Sequence, residues 1–94
     1  MTAPKYMIAH GSAAVQAARI IAAVAKERED KARGYELAAQ WHDKQEKACR
    51  EIAGDDPRID APTREKAAFA AIHHGASAVG LRNAASALMR PATI

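Results

Sequence analysis

Residues 53–62, reading Ala-Gly-Asp-Asp-Pro-Arg-Ile-Asp-Ala-Pro, constrain this chain more than any other stretch. Gly54 suits the position just past a helix C-terminus, and Pro57 cannot continue a helix. Asp60, followed by Pro62 and Glu65, carries the signals of a new helix start. Both flanks have helical periodicity, so the chain is expected to fold as an all-α hairpin with residues 54–61 as its loop. The last helix is expected over about 62–90, stopping ahead of Pro91.

On the N-terminal flank, Pro4 and Gly11 mark residues 1–11 as a short lead, and Ser12 is a plausible N-cap. At 100° per residue, Ala14, Ala17, Ala18, Ile21, Val24 and Ala25 share one face, with Gln16, Arg19, Lys26 and Glu27 opposite. Residues 26–51 are highly charged. Glu27–Lys31, Glu29–Arg33, Asp43–Lys47 and Glu46–Arg50 all place acid before base at i,i+4, worth about 0.2–0.5 kcal/mol each and typical of a solvated helix. If the helix ran straight through Gly34, the first stripe would continue at Ala32, Tyr35 and Ala39. A second stripe of Leu37, Trp41, Ala48 and Ile52 points elsewhere. The expectation is therefore two segments, about 12–33 and 35–53, separated or kinked at Gly34.

Composition now decides how such helices can pack. Of 94 residues 25 are alanine, whereas Leu, Ile, Val and Phe together number 14. So little bulk excludes a β-sandwich or barrel and disfavours a nucleotide-binding α/β domain, while alanine is the strongest helix former. One domain with a thin core is the ceiling. Ala14, Ala18 and Ala22, and likewise Ala76, Gly80 and Ala84, form small-residue ridges that let helices approach closely. Across residues 67–89 Arg82 carries the only charge. Phe69, Ile72, Ala76 and Val79 share one side; His74, Leu81 and Leu88 another; Ala71, Ala78 and Met89 lie behind. A helix apolar nearly all round is expected to be buried on most faces, which here calls for completion by homodimerisation.

The net charge of +3 is spread without a basic run, so electrostatic steering toward nucleic acid is weak. His10, Gln16 and Arg19 interrupt the apolar stretch before Ala23-Val24-Ala25, which therefore does not read as a signal peptide. The longest uncharged run, residues 67–81, is too short and polar to span a bilayer. The lone Cys49 cannot form an internal disulfide. A cytoplasmic protein of a bacterial or phage-infected cell is expected.

Three constellations could carry chemistry. His42, Glu46 and Cys49 lie within about 60° on a helix and could face one metal ion, with His73 or His74 completing the shell, although the spacing matches no closed zinc motif. Cys49 also reads as a small hydrophobe beside the Trp41 stripe. Residues 67–90 align passably with a helix-turn-helix turning at Gly75, with Ser77 as N-cap and Arg82 and Asn83 toward DNA; His74, Ala78 and Val79 fit that pattern poorly. An unbroken buried helix accounts for the same residues. The His73-His74 pair could respond to pH, but core or interface histidines are commoner. No catalytic set or cofactor loop is evident, so no enzyme activity and no cofactor is expected. The leading expectation is a non-enzymatic protein-binding module, an adaptor or stoichiometric inhibitor of a larger host complex, docking through Tyr35, Trp41, Arg82 and Arg90. Small phage and mobile-element proteins, anti-CRISPR and other anti-defence inhibitors among them, are of this physical type, an analogy only.

Overall fold

The computed structural model describes the backbone of residues 5–90 and the side chains of residues 11–90. It is an all-α hairpin of two antiparallel helices, α1 (Lys5–Ala53) and α2 (Ala61–Met89). The molecule measures 88 × 24 × 12 Å, two helices wide and one thick. At a rise of 1.5 Å per residue α1 is about 74 Å long and α2 about 44 Å. Leu88, at the end of α2, lies beside Val24, Arg28 and Lys31. Among the described residues, the part of α1 before Val24 therefore extends past α2 as a single-helix arm.

Two expectations about α1 are corrected. The helix begins at Lys5, so Ser12 is an interior residue rather than a cap, and residues 5–11 belong to the helix. The ends at 1–4 and 91–94 lie outside the described residues. Nor does Gly34 divide α1, which runs through it without interruption. An interior glycine costs about 1 kcal/mol relative to alanine, too little to break a helix whose following residues are docked on a partner. Gly34 itself is exposed, and a Cβ there would meet nothing within 4 Å.

The turn forms as its residues imply. Gly54 N–H donates to the Arg50 carbonyl at 3.0 Å and closes α1. It does so without a left-handed φ; its Cβ-less carbon suits a site where a side chain would come 3.2 Å from the Glu51 carbonyl oxygen. Asp60, extended at φ −67° and ψ 152°, caps α2 by accepting from Thr63 N–H at 3.2 Å and Thr63 Oγ1 at 2.7 Å. Those bonds hold its carboxyl below the usual range. Asp55 reaches Arg64 Nη1 at 2.9 Å and ties the loop to α2. At the far end Arg90 is extended (ψ 136°), as the residue before a proline should be.

Between the helices runs a seam with alternating three- and four-residue steps. In α1 its positions are Ala32, Tyr35, Ala39, His42, Glu46, Cys49 and Ala53; in α2 they are Arg64, Ala67, Ala71, His74, Ala78, Leu81, Ala85 and Leu88. Every one of these fifteen residues is buried or half-buried, and Ala39, Ala71 and Ala78 are 0, 0 and 2% exposed. The mean spacing of 3.5 is that of a coiled coil. What is unusual is the occupant: alanine recurs at seven-residue steps on both helices, at Ala32, Ala39 and Ala53 on α1 and at Ala71, Ala78 and Ala85 on α2. Each buried methyl contributes about 0.8 kcal/mol, and small side chains bring the backbones to the close end of the usual 8–10 Å separation.

The expected ridge of Ala76, Gly80 and Ala84 is not the contact line, since Ala76 and Gly80 are exposed. Nor is α2 buried on most sides: Phe69, Ile72 and Val79 are 59–60% exposed. With one partner helix, only the side facing α1 can be covered.

Candidate functional site

The alanine seam is interrupted by polar groups near its middle, where side chains from both helices meet. His42 Nδ1 and His74 Nδ1 are 2.8 Å apart across the seam. One ring must donate and the other accept, so at least one imidazole is neutral while this bond exists. Trp41 packs edge-on to both rings, with centroids 4.9 Å from His42 and 5.6 Å from His74. Trp41 remains 54% exposed.

One turn further along α1, Glu46 occupies a position that holds alanine at Ala32, Ala39 and Ala53. Gly75 supplies the room: a Cβ there would lie 3.1 Å from Glu46 Oε2. Glu46 accepts from Arg50 Nη2 at 2.9 Å and Nε at 3.0 Å, the one ion pair of the four read from the sequence that forms. Asp30 instead takes Lys26 at 3.0 Å and Arg33 at 3.1 Å.

Asp43 turns away from Lys47 to the opposite helix. Arg82 grips it with a fork, Nη2 to Oδ2 at 2.6 Å and Nη1 to Oδ1 at 3.2 Å, while its Nε donates to Glu36 Oε1 at 3.2 Å. The Arg82 hydrogen bonds hold the Asp43 carboxyl below its ordinary value, helped by the charges of Arg82 and His42 against partial desolvation. The reciprocal bond from Asp43 raises the Arg82 pKa further above its already basic value. Planar two-point pairing of this kind fixes how one helix sits along the other more than it adds raw stability.

The expected site residues separate accordingly. Tyr35 is half-buried in the seam, and Trp41 stands at its edge. Arg82 is engaged by two carboxylates of α1. Arg90 is exposed and lines a cleft of about 390 Å³ where α2 ends, together with Ile20, Ile21, Val24, Leu88 and Met89. The helix-turn-helix over 67–90 is not formed: α2 is unbroken, Ser77 lies inside it, and Gly75 accommodates Glu46 rather than a turn. Ser77 and Asn83 are exposed. His42, Glu46 and Cys49 do fall on one face, but that face is the seam. Among the described residues no group of three His, Cys, Asp or Glu side chains is placed to hold a metal ion. His73 is exposed, apart from the His42–His74 contact.

Sequence reasoning missed Glu36, Asp43 and the pairing of His42 with His74. A usable signal was present in the seven-residue recurrence of alanine, which identifies the facing positions once both helices are aligned antiparallel. No helix among the described residues is long and apolar enough to cross a membrane. Comparison with protein-family models, curated proteins and solved structures finds no match to this chain.

Proposed function

We propose that the protein is a small non-enzymatic protein-binding module, an adaptor or stoichiometric inhibitor that docks on a larger protein complex in the cytoplasm. The observation that carries this reading is the inversion of bulk. The buried side chains are alanines, whereas Leu37, Trp41 and Ile52 on α1 and Phe69, Ile72 and Val79 on α2 are 40–60% exposed. Single exposed apolar residues are ordinary, but rows of large ones at helical spacing on a slim rod are what helix-mediated docking uses. Trp41, held edge-on by two imidazoles and still half in solvent, is the natural anchor. Arg82 supports the hairpin from within, leaving Arg90 as the basic group at the rim.

Affinity capture from a lysate of the source cell, with and without nuclease, tests the reading. One stoichiometric protein that survives nuclease and is lost with Phe69→Glu or Val79→Glu is the expected result. Heterogeneous recovery abolished by nuclease would point to nucleic acid and sink the proposal.

A further inference from the structure

The arm of α1 repeats the design of the seam it leaves behind. Counting back from Ala32 in the same alternating steps gives Arg28, Ala25, Ile21, Ala18, Ala14 and Gly11. The small residue of every seventh position continues at Ala25, Ala18 and Gly11, beyond the point where α2 stops. All these residues are exposed, and the flanking Val15, Ile20 and Val24 are 48–63% exposed. Between Gly11 and Ala25 Arg19 is the only charged residue, and it lies off the repeat. At the step where α2 ends, Leu88 and Met89 with Ile21 and Val24 wall the 390 Å³ cleft, an opening in line with the seam.

We infer that this arm is covered by the arm of a second copy of the chain, lying antiparallel and centred between Ala14 and Val15, so that each copy continues the groove that the other's α2 vacates. The occupant follows from self-complementarity. Inside the hairpin, the face presented by α1 is matched by an antiparallel helix with alanine at every seventh residue. The arm is itself such a helix, so it offers both halves of the same contact. An antiparallel pair with one two-fold axis closes on itself and leaves no second arm exposed, as isologous dimers require. This centring sets Gly11 of each copy toward Ala18 of the other, small against small, and brings Lys5, where α1 begins, opposite Val24, where the partner copy's α2 ends. The overlap of about 20 residues spans roughly 30 Å, at the small end of specific interfaces, which makes the dimer a weak one. This inference uses a different surface from the outer stripes and does not rest on what they bind.

Light scattering on the full chain from about 1 μM to about 1 mM, the range of weak association, supplies the first test. The mass is expected to rise toward twice the 10.0 kDa of the chain. Ile21→Glu and, from the neighbouring layer, Ala18→Glu should each return it to a monomer with hairpin circular dichroism retained. A mass of one chain at all concentrations, as expected if a different protein covers the arm, overturns the inference; so does a dimer that survives both substitutions. Orientation is read by disulfide formation in a Cys49→Ala background, which does not depend on either glutamate variant folding. Gly11→Cys chains should cross-link to Ala18→Cys chains when mixed, and Ala18→Cys chains should not cross-link to themselves. Self-cross-linking of Ala18→Cys would mean a parallel pair and overturn the geometry.

Discussion

Leucine placed at Ala78, and separately at Ala76, distinguishes a seam held by close approach from one held by helix propensity alone. The two positions lie on the same helix and gain the same isopropyl group. Ala78 is 2% exposed and faces α1, whereas Ala76 is exposed. Helix propensity changes little from alanine to leucine and cancels between the variants. At Ala78 the added bulk has no cavity to enter. It must hold the helices apart, and the neighbouring layers at Ala39 and Ala71, both 0% exposed, then lose contact as well. Overpacking of this kind costs about 1–3 kcal/mol, so Ala78→Leu should be less stable than Ala76→Leu by that amount. Glycine probes the opposite direction. Ala76→Gly loses only helix propensity, about 1 kcal/mol, while Ala78→Gly also loses a buried methyl worth about 0.8 kcal/mol. Urea unfolding followed by far-ultraviolet circular dichroism gives all four values, with the denaturant slope checking that the unfolded state is unchanged. Equal stability of the two leucine variants within about 0.5 kcal/mol, the ordinary scatter of surface substitutions, would refute the close-packed alanine seam.

Other expectations follow from the polar centre and from the course of α1. Because Asp43 is held below its ordinary value of 3.8, its pairing with Arg82 stabilises the fold fully above that pH and is lost as pH falls through the lowered folded value. Acid unfolding of wild type should therefore be steeper than that of Asp43→Asn; identical acid limbs would deny the linkage. Gly34→Ala should raise stability by about 1 kcal/mol in thermal or urea melts, because the helix is continuous there and the added methyl meets open space. A loss of stability would show that the chain needs a break at that point. Trp41 is the only tryptophan, so its emission reports on the His42–His74 contact. His74→Leu should shift that emission and His73→Leu should leave it in place; equal responses would place the indole away from His74.

Much of the hairpin was legible in residues 53–62 because turn chemistry is local. Proline forbids helix, aspartate caps it, and neither depends on distant neighbours. The charge-paired stretch through residues 26–51 likewise declared a solvated helix. Gly34 misled because its cost is small and is offset elsewhere: whether a lone glycine breaks a helix depends on what holds the residues after it. Gly75 misled for a related reason. Its open space is a feature of the packing against Glu46, invisible until α1 is laid alongside. Asp43 illustrates the limit of local pairing rules. Lys47 is one turn away, yet Arg82, distant in sequence, presents a two-pronged donor that an i,i+4 lysine cannot match.

By itself, the sequence determined that this protein is helical, where it turns, and that its core would be made of small side chains. Those properties rest on backbone propensity, turn stereochemistry and composition, each acting within a few residues. Only the tertiary structure decided which alanines are buried, which histidine meets which, and that α1 outruns α2 by an arm carrying an uncovered continuation of the seam. Those outcomes depend on the register of two helices, and register is set by contacts between residues dozens of positions apart. Alanine every seventh residue permits close approach at any one-heptad offset, so the methyl groups alone leave several alignments nearly equal. The Arg82 fork, the His42–His74 bond and the fit of Glu46 over Gly75 select one of them.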